Sequence, residues 1–435
     1  MPKITFMGAG SSVFAKNVLG DSMLTPALED SAIALYDIDG ERLEESRAML
    51  EAINRNNGSK ARIETYLGIP ARKDALSGAD YVVNAIQVGL YEPCTVTDFE
   101  VPKKYGLRQT IGDTLGIGGI FRSLRTIPVM LDFARDMEEV CPDAWFLNYT
   151  NPICTLAGAM LRMTGVKTVG LCHSVQVCAE SLLKAVGMPY DDLVQWKVAG
   201  INHMGWLLEV TRDGKDLYPE IKAKAAAMTE KHHDMVRFEI MKRFGYYVTE
   251  SSEHNAEYMP YFIKGKYPEL IERFNIPLDE YPRRCVEQIK NWKEQGHELT
   301  KNPKLVHERS NEYASQIMEA IETNRPVKIG GNVLNTGLIT NLPENAVVEV
   351  PCIVDKNGVV PCYVGALPEQ LAALNRTNIN VQLLTIEAAR TLKKDYVYQA
   401  ALLDPHTAGE LSIDDIVALC DDLIEAHGDW LPKYR

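Results

Sequence analysis

Through the first part of the chain, short apolar runs alternate with segments of helical period. The runs at 3–7, 32–37, 79–86, 144–151 and 168–172 read as buried strands, being brief and rich in Val, Ile and aromatic residues. The intervening segments, such as the charge-alternating 41–54, read as helices. Strand–helix alternation of this kind predicts a doubly wound α/β sheet.

Near residue 195 the texture changes. Residues 221–244, 282–294, 367–393 and 413–426 carry helical patterns, whereas 328–361 is strand-and-turn material with Lys356-Asn357-Gly358 as a hairpin signal. Ser412 with Asp415 forms a capping box, and Ile416, Cys420, Leu423 and Ile424 make one apolar stripe that assigns Cys420 to the core. Two domains are therefore expected, 1–195 and an α+β lobe over 196–435. Residues 248–261 break the pattern; dense in titratable and hydroxyl groups, they are expected to form a loop walling a site.

The strand ends carry the chemistry. Gly8-Ala-Gly10-Ser11-Ser-Val13 follows the first strand, and Asp37 ends the second. Glycines there let the backbone approach a pyrophosphate at a helix N-terminus, and a carboxylate there suits the ribose hydroxyls of NAD. Val13 stands where the fingerprint has its third small residue, so the motif is incomplete. The order of elements still specifies a Rossmann-type, lactate/malate dehydrogenase-like sheet, with Gly8, Gly10, Ser11, Asp37 and Asn148 as cofactor positions. Ligands of such sheets collect beyond the carboxyl ends of strands, which brings Asn148, Asn151, Cys172 and His173 to one crevice. Cys172 and His203, from separate segments, make a two-ligand metal site with open positions. The glycine-rich 111–125 offers Asp113, Arg122 and Arg125 for sugar or phosphate contacts.

Composition narrows the partners. The 435 residues carry a formal charge of −13, which argues against nucleic acid or an anionic membrane as the main partner. Nine scattered cysteines without paired spacing read as reduced thiols, and the N-terminus lacks the order of a signal peptide; both point to the cytoplasm.

Taken together, Ile4-Thr-Phe-Met-Gly-Ala-Gly-Ser11, Tyr91 to Glu100, Cys172-His-Ser-Val175, Ala199-Gly-Ile-Asn-His203, Thr249-Glu-Ser-Ser-Glu-His254 and Ala426-His-Gly-Asp-Trp-Leu431 resemble glycoside hydrolase family four, nearly end to end. Cys-His-Ser-Val is most similar to its α-galactosidase members. That resemblance implies hydrolysis of a small terminal α-D-galactoside with NAD and Mn²⁺ or another divalent metal. Sugar C3 is oxidised, C2 is deprotonated, the glycosidic bond breaks by elimination, and water adds. By the same resemblance Cys172 and His203 match the metal ligands, His173 the acid that helps the leaving group, and Asn151 a substrate contact. The base falls on Tyr258 or His254, with Tyr258 ahead because related chemistry uses a phenolate. A homodimer or homotetramer is also implied. The competing readings are a related family-four α-glycosidase for glucosides or uronides, a 2-hydroxy-acid dehydrogenase, whose His–Asp relay is not evident here, and a non-catalytic NAD sensor, which would leave the metal residues without a purpose.

Overall fold

The computed structural model describes residues 1–435, apart from the side chains of Gln295, His297 and Glu298. Six strands form a parallel sheet: β1 Lys3–Met7, β2 Ala32–Asp37, β3 Arg62–Leu67, β4 Tyr81–Asn84, β5 Trp145–Asn148 and β6 Lys167–Gly170. Their spatial order is β3-β2-β1-β4-β5-β6, which reverses direction between β1 and β4. That order is the Rossmann one, and the reversal opens a crevice at the carboxyl ends of those two strands. β3 carries no apolar alternation because it is an edge strand with most side chains exposed, and so it escapes a reading by hydrophobic pattern.

The later strands do not build a separate sheet. β7 Val194–Ile201, β8 Met204–Arg212, β9 Lys215–Asp216, β10 Tyr247–Val248, β11 Val327–Leu334, β12 Val347–Asp355 and β13 Gly358–Pro361 continue the first one, antiparallel, beyond β6. The join is narrow. Gly170 of β6 pairs with Asn332 of β11, Asn332 with Glu349 of β12, and Glu349 with Gly200 of β7. This transverse line sets Cys172, two residues past Gly170, and His203, three past Gly200, at one level. Both glycines are sterically required: a Cβ on Gly170 would lie 2.4 Å from Ile153 Cγ2, and one on Gly200 would lie 2.5 Å from the Met204 carbonyl.

One apolar core lies beneath both halves. Ile4, Phe6, Val83 and Val169 from the parallel strands share it with Met204, Trp206, Val348 and Val350. The Trp206 indole donates to Asn375 (3.1 Å), whose amide donates to the Met204 carbonyl (2.8 Å), fastening the helix Glu369–Thr391 to β8. The helix expected over 221–244 is two, Tyr218–Ala227 and Met235–Phe244. The polar run 229–234 between them offers no apolar position to bury. It ends at Asp234, a buried carboxylate that binds Arg237 and Ser252 instead.

Candidate active site

The glycine turn folds as its composition requires. Gly8 has φ +88°, and a Cβ there would lie 2.9 Å from the Ala85 carbonyl at the end of β4. A Cβ on Gly10 would lie 2.8 Å from Asp37 Oδ2, and the Gly10 amide donates to that same oxygen (2.6 Å). Asp37 Oδ1 accepts from the amides of Ile38 (2.8 Å) and Asp39 (3.0 Å), so the carboxylate is held rigidly at the strand end. Ser11 precedes the helix Ser12–Met23 without capping it; its hydroxyl donates to the Gly8 carbonyl (2.8 Å). The first helical amides therefore face the crevice with no side chain occupying them. Val13 is 49% exposed, which explains why the third fingerprint position needs no small residue here.

Asn148 belongs to the scaffold more than to the crevice. Its Oδ1 accepts from the Asn84 amide (2.8 Å) and the Thr150 backbone (3.2 Å), and its Nδ2 donates to the Thr150 carbonyl (3.1 Å). Fully buried, it braces the end of β5 against β4. Asn151 differs: its Oδ1 is buried and unpartnered, and its carbonyl accepts from Arg122 Nε (3.2 Å).

The metal-type residues meet. Cys172 Sγ, His203 Nε2 and a Glu250 carboxylate oxygen all lie within 4.8 Å of one another. His203 Nδ1 and the Tyr258 hydroxyl are 3.0 Å apart, so the imidazole's other nitrogen faces Cys172 and Glu250. Burial pulls the His203 pKa down, which favours the neutral ring a metal requires. Burial, with the Glu250 and Glu349 charges, holds the Cys172 thiol well above its ordinary value. A cation in their midst would reverse that, since thiolates ligate metals.

The segment around Glu250 is tightly built. A short helix, Ser252–Glu257, stands within the expected loop, capped by Ser251. Its sequence holds no apolar stripe, and it is fixed by hydrogen bonds. Thr249 exchanges bonds with Gly205, and the Asn255 amide donates to the carbonyls of both Thr249 (3.0 Å) and Ser251 (3.1 Å). His254 bonds Ser251 Oγ (2.8 Å) and lies 3.5 Å from Glu250 and 3.8 Å from Asp113. Burial lowers its pKa, but Glu250 and Asp113 outweigh that and push it up to about 9. Burial raises Asp113, and His254 and Arg122 prevail, leaving it well below the usual carboxylate range. Burial, followed by the charges of Asp113, Glu257 and Glu250, lifts the Tyr258 hydroxyl well above 10.0.

His173 stands at the start of the helix Ser174–Ala185, with Nε2 2.5 Å from Glu312 Oε2. Burial works against its protonation and the Glu312 hydrogen bond overrides it, so its pKa is raised. Arg125, expected at the site, is elsewhere. Its guanidinium is fully buried against Asp98 (2.6 and 3.1 Å) and the Val88 carbonyl, so the sugar-contact expectation is corrected to a structural one. Arg122 does reach the site, touching Asn151 and the Tyr281 hydroxyl (3.3 Å).

Sequence reasoning passed over Glu250, Glu312, Glu257 and Tyr281. Both glutamates lie in the titratable stretch: Glu250 is aimed by a left-handed backbone just before the helix Ser252–Glu257, and Glu257 by the face it takes at that helix's end, and no hydrophobic period reports either. Glu312 sits in a segment with no motif, delivered by Asp21, which bonds His307 (2.7 Å) and Ser310 (2.6 and 2.8 Å) from the helix Ser12–Met23.

Known proteins match the chain over nearly its whole length. The profile described as family 4 glycosyl hydrolase matches residues 3–188, and that described as family 4 glycosyl hydrolase C-terminal domain matches 198–407. An alpha-galactosidase of Bacillus subtilis (strain 168) is 66% identical over 436 residues, covering 100% of both chains. The structure of lplD from Bacillus subtilis has a TM-score of 0.87 at 26% identity, covering 97% of this chain and 99% of that one. A 6-phospho-beta glucosidase of Thermotoga maritima, solved with manganese, NAD+ and glucose-6-phosphate, shares the fold at a TM-score of 0.79 and 21% identity, covering 99% of this chain and 100% of that one.

Proposed function

Since the chain belongs to family 4 of the glycosyl hydrolases, we propose that it is an α-galactosidase acting on terminal α-D-galactosides with NAD and a divalent cation. The observation that carries this reading is the end-to-end identity of 66% with an alpha-galactosidase. The residues fit both groups. The floor of the glycine turn is closed to any Cβ at Gly8, which suits a backbone that a dinucleotide approaches closely, and the helix after Ser11 begins uncapped. Gly8, Gly10, Ser11 and Asp37 would hold the dinucleotide, and Cys172 and His203 the cation. When bound, the dinucleotide supplies a reversible hydride acceptor and the cation a Lewis acid.

The remaining side chains divide the proton transfers. His173, oriented by Glu312, delivers a proton to the departing glycosidic oxygen. Tyr258 accepts the proton from sugar C2. With Nε2 of His203 turned to a bound cation, Nδ1 would carry the hydrogen and donate to the Tyr258 oxygen, and that donor together with the cation's charge would oppose the upward pull that burial and the neighbouring carboxylates exert on this hydroxyl. His254, flanked by Glu250 and Asp113, serves as their charge partner. Asn151, whose Oδ1 lacks a protein partner, and Asp113 receive sugar hydroxyls.

An aryl α-galactoside should be cleaved only when NAD⁺, Mn²⁺ and a thiol reductant are all present. Cleavage in D₂O should leave deuterium at C2 of the released sugar. Full activity after exhaustive removal of both NAD⁺ and metal would end the reading, and faster turnover of the aryl α-glucoside or α-galacturonide would move its specificity. Tyr258→Phe should lose at least 100-fold in kcat, as expected for removing a general base; an inactive His254→Ala beside an active Tyr258→Phe would transfer the role. The same reading makes the enzyme a cytoplasmic homodimer or homotetramer, which light scattering of the purified protein and cell fractionation check. No helix among the described residues is long and apolar enough to cross a membrane.

A further inference from the structure

Glu250 stands between the two residues assigned to the cation, and no motif assigned it a role. Its two carboxylate oxygens divide their neighbours. Oε1 lies 3.5 Å from His254 Nδ1, while Oε2 lies 3.4 Å from His203 Nε2 and 4.0 Å from Cys172 Sγ. His254 already has a closer partner in Ser251 Oγ at 2.8 Å, so pairing with His254 does not account for where Oε2 points.

The backbone adds an independent observation. Glu250 has φ +67° and His203 has φ +63°, left-handed conformations that side chains other than glycine adopt at a cost. Both are over-determined by their surroundings. Glu250 is bracketed by the Asn255 amide, which holds the carbonyls on either side of it, and by the Thr249–Gly205 pair. His203 occupies the tight connection between β7 and β8. Such conformations gather where a side chain has to be aimed, and these two aim at the same point.

Ligand chemistry makes the same demand. A thiolate is a soft donor and an imidazole a borderline one, whereas Mn²⁺ prefers oxygen and stands at the weak end of the divalent series. An anionic oxygen on the same face gives a hard cation a donor it favours. Three protein donors on one side would leave a bound divalent cation open to substrate oxygens and water on the other.

We infer that Glu250 is a third protein ligand of the divalent cation, completing a Cys172–His203–Glu250 face. This rests on the metal-assisted reading above and deepens it. The test is titration of the full-length, NAD⁺-loaded protein with Mn²⁺ by calorimetry, without substrate. Glu250→Gln should raise the Mn²⁺ dissociation constant at least tenfold, with NAD⁺ affinity within twofold of the parent, and should shift preference toward Cd²⁺, which suits the remaining softer donors. Glu250→Asp keeps the charge and guards against a Gln variant that does not fold; by withdrawing the oxygen it should weaken Mn²⁺ severalfold. Parent-like Mn²⁺ affinity in either folded variant overturns the inference and leaves Glu250 as a charge partner of His254. Failure of the parent itself to bind Mn²⁺ overturns the metal-assisted reading, and this inference with it.

Discussion

Glu257 shows how one side chain can shape this site without touching substrate. It ends the helix that carries His254, and its buried carboxylate accepts the amides of Thr110 and Gly112 (2.8 Å each), with the Ile111 amide shared at 3.3 Å. Three successive donors are satisfied by one residue, and the next residue along is Asp113. The clasp is closed from the other side as well, since a Cβ on Gly118 would sit 2.2 Å from the Gly112 carbonyl. Glu257→Gln presents a single acceptor and turns an NH₂ toward a backbone N–H. At least one buried donor is then unpaired, at a cost of about 1–3 kcal/mol. We expect that loss in urea unfolding, together with a rise in KM for the galactoside as Asp113 moves. A variant with parent-like stability and KM would show that the loop is held by its own turn alone.

At the scale of elements, the C-terminal helix Ile413–His427 is tied to the active-site half by a buried chain of polar contacts. His427 Nε2 lies 2.9 Å from Asp98, which pairs with Arg125 of the helix Gly116–Val140, while the His427 ring stacks on Phe121 at 5.7 Å. Arg125→Met leaves Asp98 buried without its cation, and breaking such a pair costs about 3–5 kcal/mol. The urea midpoint should fall accordingly while KM of the folded enzyme stays put, because Arg125 does not reach the crevice. A raised KM with unchanged stability would restore it to the sugar site. This residue marks the limit of reading chemistry from sequence. The glycine turn, Asp37, Cys172 and His203 were legible because strand order and strand ends fix their place. Arg122 and Arg125 share a helix and a residue type, and only the position of Asp98 decides which one turns inward. The helix Ser252–Glu257 was missed for a related reason, being held by side-chain hydrogen bonds that leave no hydrophobic period. The strand β3 was missed because an exposed edge has no apolar face to reveal it.

Over the whole molecule, the decisive joint is the line Gly170, Asn332, Glu349, Gly200, where the parallel and antiparallel parts of the sheet meet. Two glycines at its ends let the strands close, and two polar side chains between them face each other: Asn332 Nδ2 donates to Glu349 Oε1 (2.8 Å). Glu349 Oε2 and both amide atoms of Asn202 are buried without other hydrogen bonds. Burial pushes Glu349 from 4.5 up to about 8, against the hydrogen bond from Asn332 and with the help of the Glu250 charge. The fold therefore holds a proton that the unfolded chain gives up first. Between those two values the native state binds more protons, so the contribution of Glu349 to stability is complete below pH 4.5 and is lost as pH rises toward 8. Each pH unit in that window costs at most about 1.4 kcal/mol. Glu349→Gln keeps the shape and the neutral state at every pH. Its melting temperature, followed from pH 5 to 8 at fixed protein concentration, should decline less steeply than the parent's, with the two curves diverging toward alkaline pH. Parallel curves would mean that Glu349 is ionised in the fold across this range, and that the joint between the two halves of the sheet carries a buried negative charge beside the Cys172 thiol.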